Sequence, residues 1–249
     1  MIKRQDGLAL EATQLPPTAE DRRRLRHLPL LGDSAEEAGA RLIAVTSVIN
    51  VAKDHEILRE GARPSALLTI LSGRVALVAR GTSDQNAVVS LLGPGSIVMP
   101  ATALHPMPYP LSAIAIEATR IASIPICDVQ AAMSCDPGLV GMLAQAAAES
   151  WRQAIGQLKD QRLLSAPQRF AAHLVRLAAG RRGRVSFEIG EDRKTLASLL
   201  GMTPENLSRT IGQLRELGVI LNGRHVEIAD VAAVAGFAWS EETAGARHH

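Results

Sequence analysis

The sequence predicts an α+β chain in three parts: an N-terminal antiparallel β-roll, a long helix and a C-terminal winged helix-turn-helix. Three observations carry this. Between about Val48 and Pro125, short runs rich in Val and Ile alternate with turn residues, as closely spaced antiparallel strands do. Asp136-Pro137 then opens a long amphipathic stretch. From Asp192 to Ile228, two helical patterns broken at Gly201 lead into a hairpin signal at Asn222-Gly223.

In chain order, residues Met1 to about Glu20 are polar and contain Pro16 and Pro17, so they are expected to be mobile. Asp21–Leu28 is a short, strongly basic helix candidate, and Ser34–Val48 is a second, capped by Ser34. The strand runs follow: Leu67 to Leu71, a turn at Ser72-Gly73, Val75 to Val78, Ala87 to Leu92, a turn at Gly93-Pro94-Gly95, and Ala113 to Ile116. Asp136 caps the long helix, with Pro137 at its first position, and the helix continues to about Leu164. Leu139, Leu143, Ala147, Trp151, Ile155 and Leu158 share one stripe. A helix of this length without partners in its own sequence is expected to pair with its copy in a second chain. Ser165 and Pro167 start another helix that runs to Gly180. Its buried face is Phe170, Ala171, Leu174, Leu177 and Ala178. Arg184–Ile189 is a strand that can join the wing, and Asp230 caps a last short helix. The expected division is 1–23 mobile, 24–135 β-roll, 136–165 dimerisation helix, 166–239 winged helix-turn-helix and 240–249 disordered tail.

The helix-turn-helix is the most informative stretch. Leu196, Leu199 and Leu200 form one stripe, and Gly201-Met202 breaks that helix. Thr203 caps the next, with Pro204 at its first position, where a missing N–H costs nothing. Leu207, Ile211, Leu214 and Leu217 bury one face of it. Gly218 ends it as a left-handed cap, and the hairpin after it carries a type I′ turn signal at Asn222-Gly223. The second helix is therefore shaped for a DNA major groove. Glu205, Ser208, Arg209 and Gly212 point away from the leucines. Arg209 can fork onto guanine, Glu205 can accept from a cytosine amino group, and Ser208 can bond either a base or a phosphate. Arg193, Lys194, Thr203 and Arg224 are candidate phosphate contacts. The competing reading is a solvated helix with a Glu–Arg pair one turn apart.

Composition narrows the classes. The chain of 249 residues carries a net charge of +2. From Ser150 to His225 it has thirteen basic and six acidic residues, a local balance of +7, which leaves −5 for the rest. A basic C-terminal part beside an acidic N-terminal part suits a DNA module joined to a regulatory one. No signal peptide or membrane span is evident, so a cytoplasmic location is expected, with no membrane partner. Two cysteines, Cys127 and Cys135, fall short of a four-thiolate iron–sulfur site, and both are expected to be inert, with a thiol sensor as the alternative. No Gly-rich phosphate loop, spaced metal ligands or nucleophile elbow points to an enzyme.

Several markers together resemble the CRP/FNR superfamily of bacterial transcription regulators, over roughly residues 24 to 236. They are Leu25-Arg26-His27-Leu28-Pro29-Leu30-Leu31, Arg59-Glu60-Gly61, Leu71-Ser72-Gly73-Arg74-Val75 and Leu92-Gly93-Pro94-Gly95. The DNA end adds Leu199-Leu200-Gly201-Met202-Thr203 and Glu205-Asn206-Leu207-Ser208-Arg209. The resemblance implies a cyclic-nucleotide-binding-like jelly roll that binds an effector and a parallel dimer through the long helix. It also implies a twofold-symmetric operator on double-stranded DNA and contact with RNA polymerase. Glu205, Ser208 and Arg209 are similar to the FNR-type reader of a TTGAT-like half-site. Pro204 stands where readers of the CRP-type site usually carry arginine.

The effector cassette departs from the family. Cyclic-nucleotide binders carry a Gly-Glu pair for the ribose and an Arg-Ser or Arg-Thr pair for the phosphate. Here the two pairs read Met99-Pro100 and Leu111-Ser112. A buried phosphate needs a cation or equivalent donors, so cyclic AMP is not expected to bind. An iron–sulfur cluster is not expected either, since no cysteine precedes Cys127. Met99, Pro100, Leu104, His105, Met107, Tyr109, Leu111 and Ser112 are expected to line an apolar effector pocket. The family includes haem-based sensors of nitric oxide or carbon monoxide, and haem is a candidate cofactor here. His105 is the candidate axial ligand, and Ala144, Ala146, Ala147 and Ala148 would leave space for a flat macrocycle. Against this stands a plain loop histidine in a Pro-rich turn. Met99 and Met107 serve more often as core filler, and His55 and His173 have ordinary surroundings. The alternatives are a regulator with another effector or none, and a module whose helix-turn-helix makes only protein contacts.

Overall fold

The computed structural model describes residues 14–27, 36–81 and 86–240. The chain divides into two compact units, residues 1–153 and 154–249. In the first unit, strands numbered in chain order form two antiparallel sheets. One has the order β1 (Gln14–Leu15), β2 (Ser47–Val51), β9 (Thr119–Pro125), β4 (Ala66–Ser72), β7 (Ile97–Val98). The other has the order β3 (Glu56–Leu58), β8 (Ser112–Ala115), β5 (Val75–Arg80), β6 (Asn86–Leu92).

Strand β4 shows why the sequence folds this way. Its run Ala-Leu-Leu-Thr-Ile-Leu is apolar almost throughout, as a strand covered on both faces requires. Side chains alternate between faces. Leu68 and Ile70 enter the roll interior with Ile49, Ile57, Leu58, Val75 and Ile121. Leu67 and Leu71 face a second core under the helices, with Leu25, Leu42, Ile124, Val129, Leu139 and Leu143. Those helices are α1 (Ala19–Arg26), α2 (Glu36–Val45), α3 (Ala101–Leu104), α4 (Ile126–Cys135) and the start of α5 (Pro137–Leu163). Each fully buried Leu or Ile removes enough surface from water to contribute about 1.5–3 kcal/mol. At the turn before β5, Gly73 has φ +83°, and a Cβ there would lie 2.5 Å from the Ala118 carbonyl oxygen. That contact admits only glycine.

The N-terminal segment differs from expectation. Residues 14–15 pair with β2, and α1 starts at Ala19 under a capping box formed by Thr18 and Asp21. Asp21 is then gripped by Arg120 of β9, with Nε to Oδ1 at 2.8 Å and Nη2 to Oδ2 at 2.6 Å. Order is imposed by a strand 99 residues away, which local polarity does not register. Residues 1–13, the marker residues Leu28-Pro29-Leu30-Leu31, the Ser34 cap and the tail beyond Ser240 lie outside the described residues.

Helix α5 starts as the sequence indicates, with the Asp136 carboxylate accepting the Gly138 N–H at 2.9 Å. Its apolar stripe splits. Leu139 and Leu143 are buried against the roll, whereas Trp151 and Leu158 are 68% and 49% exposed.

The second unit contains α6 (Ala166–Leu177), β10 (Val185–Glu188), α7 (Arg193–Leu199), α8 (Pro204–Leu214), a 3-10 turn (Arg215–Leu217), β11 (Val219–Asn222), β12 (His225–Ile228) and α9 (Val231–Ala238). Its sheet has the order β10-β12-β11, so the extra strand does join the wing. Phe170, Leu174, Leu196, Leu207, Leu214, Val226 and Val234 make one core. Two expectations are corrected. Leu177 is 37% exposed, not buried, because it closes α6 just before the chain turns through left-handed Ala179 and Gly180. The wing turn is not type I′. Asn222 pairs with His225, so Gly223-Arg224 form the loop, and only Gly223 has positive φ. A type I′ turn needs positive φ at both central residues, whereas type II′ needs it at the first.

Candidate functional site

The second unit builds a helix-turn-helix from capping chemistry. Asp192 opens α7 by accepting the Thr195 N–H at 2.8 Å. The helix closes in a Schellman motif: Gly201 N–H donates to Ser198 O and Met202 N–H to Ala197 O, with Gly201 at φ +63°. Thr203 Oγ1 then accepts the Asn206 N–H at 3.2 Å and opens α8. Leu207, Ile211 and Leu214 are buried and the 3-10 turn follows, with Gly218 left-handed at φ +75°.

The opposite face of α8 is open. Glu205, Ser208, Arg209 and Gly212 are all exposed. The Glu205 carboxyl is held below its ordinary pKa by its own backbone N–H and the Thr203 hydroxyl, with Arg209 adding attraction. The carboxylate is thus ionised and acceptor-only near neutral pH, the state a cytosine amino group requires. Ser208 donates its hydroxyl to the Pro204 carbonyl at 3.0 Å, which leaves its lone pairs outward. Arg193, Lys194, Thr203 and Arg224 are also exposed. Arg193 and Lys194 occupy the first turn of α7, and Arg224 the tip of the wing.

The eight effector-pocket candidates do not come together. Met99 and Tyr109 are buried in the roll core, with Leu111 packed against it. Burial pushes the Tyr109 hydroxyl up to about 12. Leu104 packs on the other core. His105 ends α3 and is exposed, as is Met107. The cause is local. Met99 adopts φ +49° and α3 is a single turn. The Pro-rich segment after it then runs over the surface until backbone bonds between Tyr109 and Gly61 and Ala62 recapture it. Met99, Tyr109 and Leu111 thus share the roll core, and His105 stands outside it.

Ser112 is fully buried and already engaged. Its hydroxyl donates to Glu56 at 2.9 Å and accepts from Arg80 Nε at 3.1 Å and the Glu60 N–H at 3.1 Å. Arg80 and Arg59 also pair with Glu56. Burial pushes the Glu56 carboxyl up, but the bonds from Ser112, Arg59 and Arg80 outweigh it and hold its pKa below the ordinary value. Sequence reading passed over Glu56 and Arg80. Their only sequence signal is two charges near the ends of short strands.

What the first unit does offer is a cleft of about 320 Å³ between the roll and α5. It is lined by Thr69, Leu92, Ser96, Ile97 and Pro100 on the roll, and by Met142, Gln145, Ala146 and Glu149 on the helix. Of the predicted pocket residues only Pro100 lines it; of the predicted alanines, only Ala146. Thr69 is 1% exposed, and among the described residues its hydroxyl has no hydrogen-bond partner. Among the described residues, no histidine, cysteine or cation lines the cleft. His105, the nitrogen ligand candidate for haem, stands on the surface and does not line this cleft, whose lining offers haem only the Met142 thioether as an axial ligand. His55 sits in an exposed turn near the Lys53 carbonyl, and Cys127 and Cys135 are exposed. His173 is less ordinary, bonding the buried Glu191 at 3.2 Å.

Comparison with known proteins gives two family models. Residues 48–135 match the cyclic nucleotide-binding domain, and residues 168–236 match the Crp-like helix-turn-helix domain. A cyclic AMP receptor protein of Thermus thermophilus is 29% identical over 184 residues, covering 74% of this chain and 84% of its own. A CRP-like cAMP-activated global transcriptional regulator of Mycobacterium tuberculosis is 23% identical over 194 residues, covering 75% and 86%. The solved structure of a CooA mutant from Carboxydothermus hydrogenoformans superposes with a TM-score of 0.71. It is 18% identical and covers 85% of this chain and 95% of that one, a likeness of fold.

Proposed function

Because this chain belongs to the CRP/FNR superfamily of DNA-binding transcription regulators, with an effector-binding domain, we propose that it reads a twofold-symmetric operator with TTGAT-type half-sites as a homodimer. The observation that carries the reading is the open face of α8. It presents Glu205, Ser208 and Arg209 while the opposite face is sealed in the core. Arg209 supplies the fork for guanine, Glu205 the acceptor for cytosine, and Ser208 an acceptor for a base amino group, or a phosphate contact once its hydroxyl turns from the Pro204 carbonyl. Arg193, Lys194, Thr203 and Arg224 neutralise or bond phosphates and set register. Pro204 supports the TTGAT-type site over the alternative that needs an arginine there. The exposed apolar residues of α5, Val140, Trp151, Leu158 and Leu163, support pairing of two copies along this helix. Paired in this way, two recognition helices meet successive major grooves about 34 Å apart. Contact with RNA polymerase rests on family membership.

For the effector, the reading is a small ligand in the cleft between roll and α5, and neither cyclic AMP nor haem. Two relatives are named for cyclic AMP. Here, however, the Ser112 hydroxyl is committed to a carboxylate, and Leu111 stands in place of a cation. A phosphate there would have to displace Glu56 from its bonds to Ser112, Arg59 and Arg80. A ligand in the cleft would touch the roll and the helix together and so bias the helix toward one of two arrangements. No catalytic step is proposed.

The test is fluorescence anisotropy on a duplex carrying inverted TTGAT half-sites, against a scrambled duplex at the same salt. Tighter binding to the TTGAT duplex by three orders of magnitude or so fits specific recognition. Equal binding would refute the operator.

A further inference from the structure

One guanidinium in the second unit does more than its sequence position suggests. Arg169 lies in the first turn of α6. Its Nε donates to the Leu200 carbonyl at 2.8 Å, its Nη1 to the Leu164 carbonyl at 2.9 Å and its Nη2 to the Gly201 carbonyl at 3.4 Å. Leu164 immediately follows α5, while Leu200 and Gly201 form the end of α7 and the turn before α8. Carbonyls at helix C-termini lack intrahelical partners and carry the negative end of the helix dipole. A planar fork of five N–H donors can hold several of them at fixed angles; a lysine ammonium cannot.

Two further contacts tie the same elements. Asp160 of α5 pairs with Arg176 of α6. A Cβ placed on Gly201 would lie 3.4 Å from Gln161 Nε2, so the last turns of α5 sit directly on the helix-turn-helix turn. The crevice between them is small, about 30 Å³. The end of α5 and the turn that aims α8 therefore form one packed block, and Thr203 follows Gly201 by two residues.

We propose that Arg169 is a positioning residue for DNA readout: it clamps the end of the long helix to the helix-turn-helix turn, so that the recognition helix follows the long helix as one body. This rests on the DNA-binding reading. The clamp carries no base contact. It transmits orientation, and its loss lets the two recognition helices wander from their operator spacing.

Two variants test it. Arg169→Met removes every donor, and Arg169→Lys keeps the charge but not the fork. On the TTGAT duplex, Arg169→Met is expected to raise Kd about tenfold and Arg169→Lys several-fold. The slope of log K against log salt should stay that of wild type, because no phosphate contact is lost. Without DNA, tryptic cleavage after exposed Arg162 should run several-fold faster in both variants. Arg169→Lys binding within twofold of wild type overturns the proposal, whether or not Arg169→Met folds. A slope reduced by about one unit also overturns it, since Arg169 would then be a phosphate contact. If wild type itself ignores the duplex, the DNA reading fails, and the cleavage rates alone decide whether the clamp exists.

Discussion

Replacing Asp21 by asparagine tests whether the N-terminal helix belongs to the roll. Its side chain is 4% exposed and that of Arg120 is 27% exposed. Two hydrogen bonds join them, and Thr18 donates both its N–H and its hydroxyl to the same carboxylate. Removing one partner of a fully buried pair costs about 3–5 kcal/mol. Arg120 keeps access to water and a bond to the Asn50 side chain at 2.9 Å, so about 2 kcal/mol is expected for Asp21→Asn. Arg120→Met should cost about 3 kcal/mol, because it strands a carboxylate. A double-mutant cycle with urea unfolding, at one fixed protein concentration, should return a coupling of about 1–2 kcal/mol. The pH dependence has a definite sign. Arg120 holds the Asp21 carboxyl well below its usual range, assisted by Thr18 and against burial. A depressed folded pKa contributes stability that is fully present above the unfolded value of about 3.9 and is lost as pH falls toward the folded value. The gap between wild type and Asp21→Asn should therefore be constant at neutral pH and shrink below about pH 4. A gap under about 0.5 kcal/mol, the range of ordinary surface substitutions, or one that does not shrink in acid, would refute the reasoning.

Other outcomes follow from the same structure. Alanine at Arg193, Lys194 or Arg224 should weaken binding to all sequences alike and lower the salt slope by about 0.9 per residue, read from anisotropy titrations. Titration calorimetry should show no cyclic AMP binding at micromolar concentrations; micromolar affinity would mean that Ser112 exchanges Glu56 for phosphate. Trp151→Asp, at a side chain 68% exposed on α5, should shift sedimentation from dimer to monomer, and an unchanged dimer would place the interface elsewhere.

What was legible in the sequence tracks how local each cause is. The strand runs, the Asp136-Pro137 start, the Thr203-Pro204 cap and the Asp230 cap are set by residues within one turn of each other, and each forms as expected; Gly218 is a left-handed stop too, but of the 3-10 turn that follows α8 rather than of α8 itself. The path of the effector cassette is not legible in the sequence, because its Pro-rich run has no periodicity and is directed by Met99 and by distant backbone bonds. The Glu56–Arg80–Ser112 cluster draws residues 24 and 56 positions apart onto one sheet. Arg169 reads as one basic residue on a helix, and only the fold reveals its three carbonyls. The wing turn shows a finer limit: Asn-Gly announced a hairpin, but pairing shifted the loop by one residue.

Operator recognition depends on α8 reading bases. The most direct measurement compares Arg209→Ala with wild type on the TTGAT duplex and on duplexes substituted at its guanine. The loss of one forked contact should cost about 1–3 kcal/mol on the native duplex. The variant should also no longer distinguish the substituted duplexes at that base. If Arg209→Ala binds and discriminates as wild type does, this face of the helix does not read DNA.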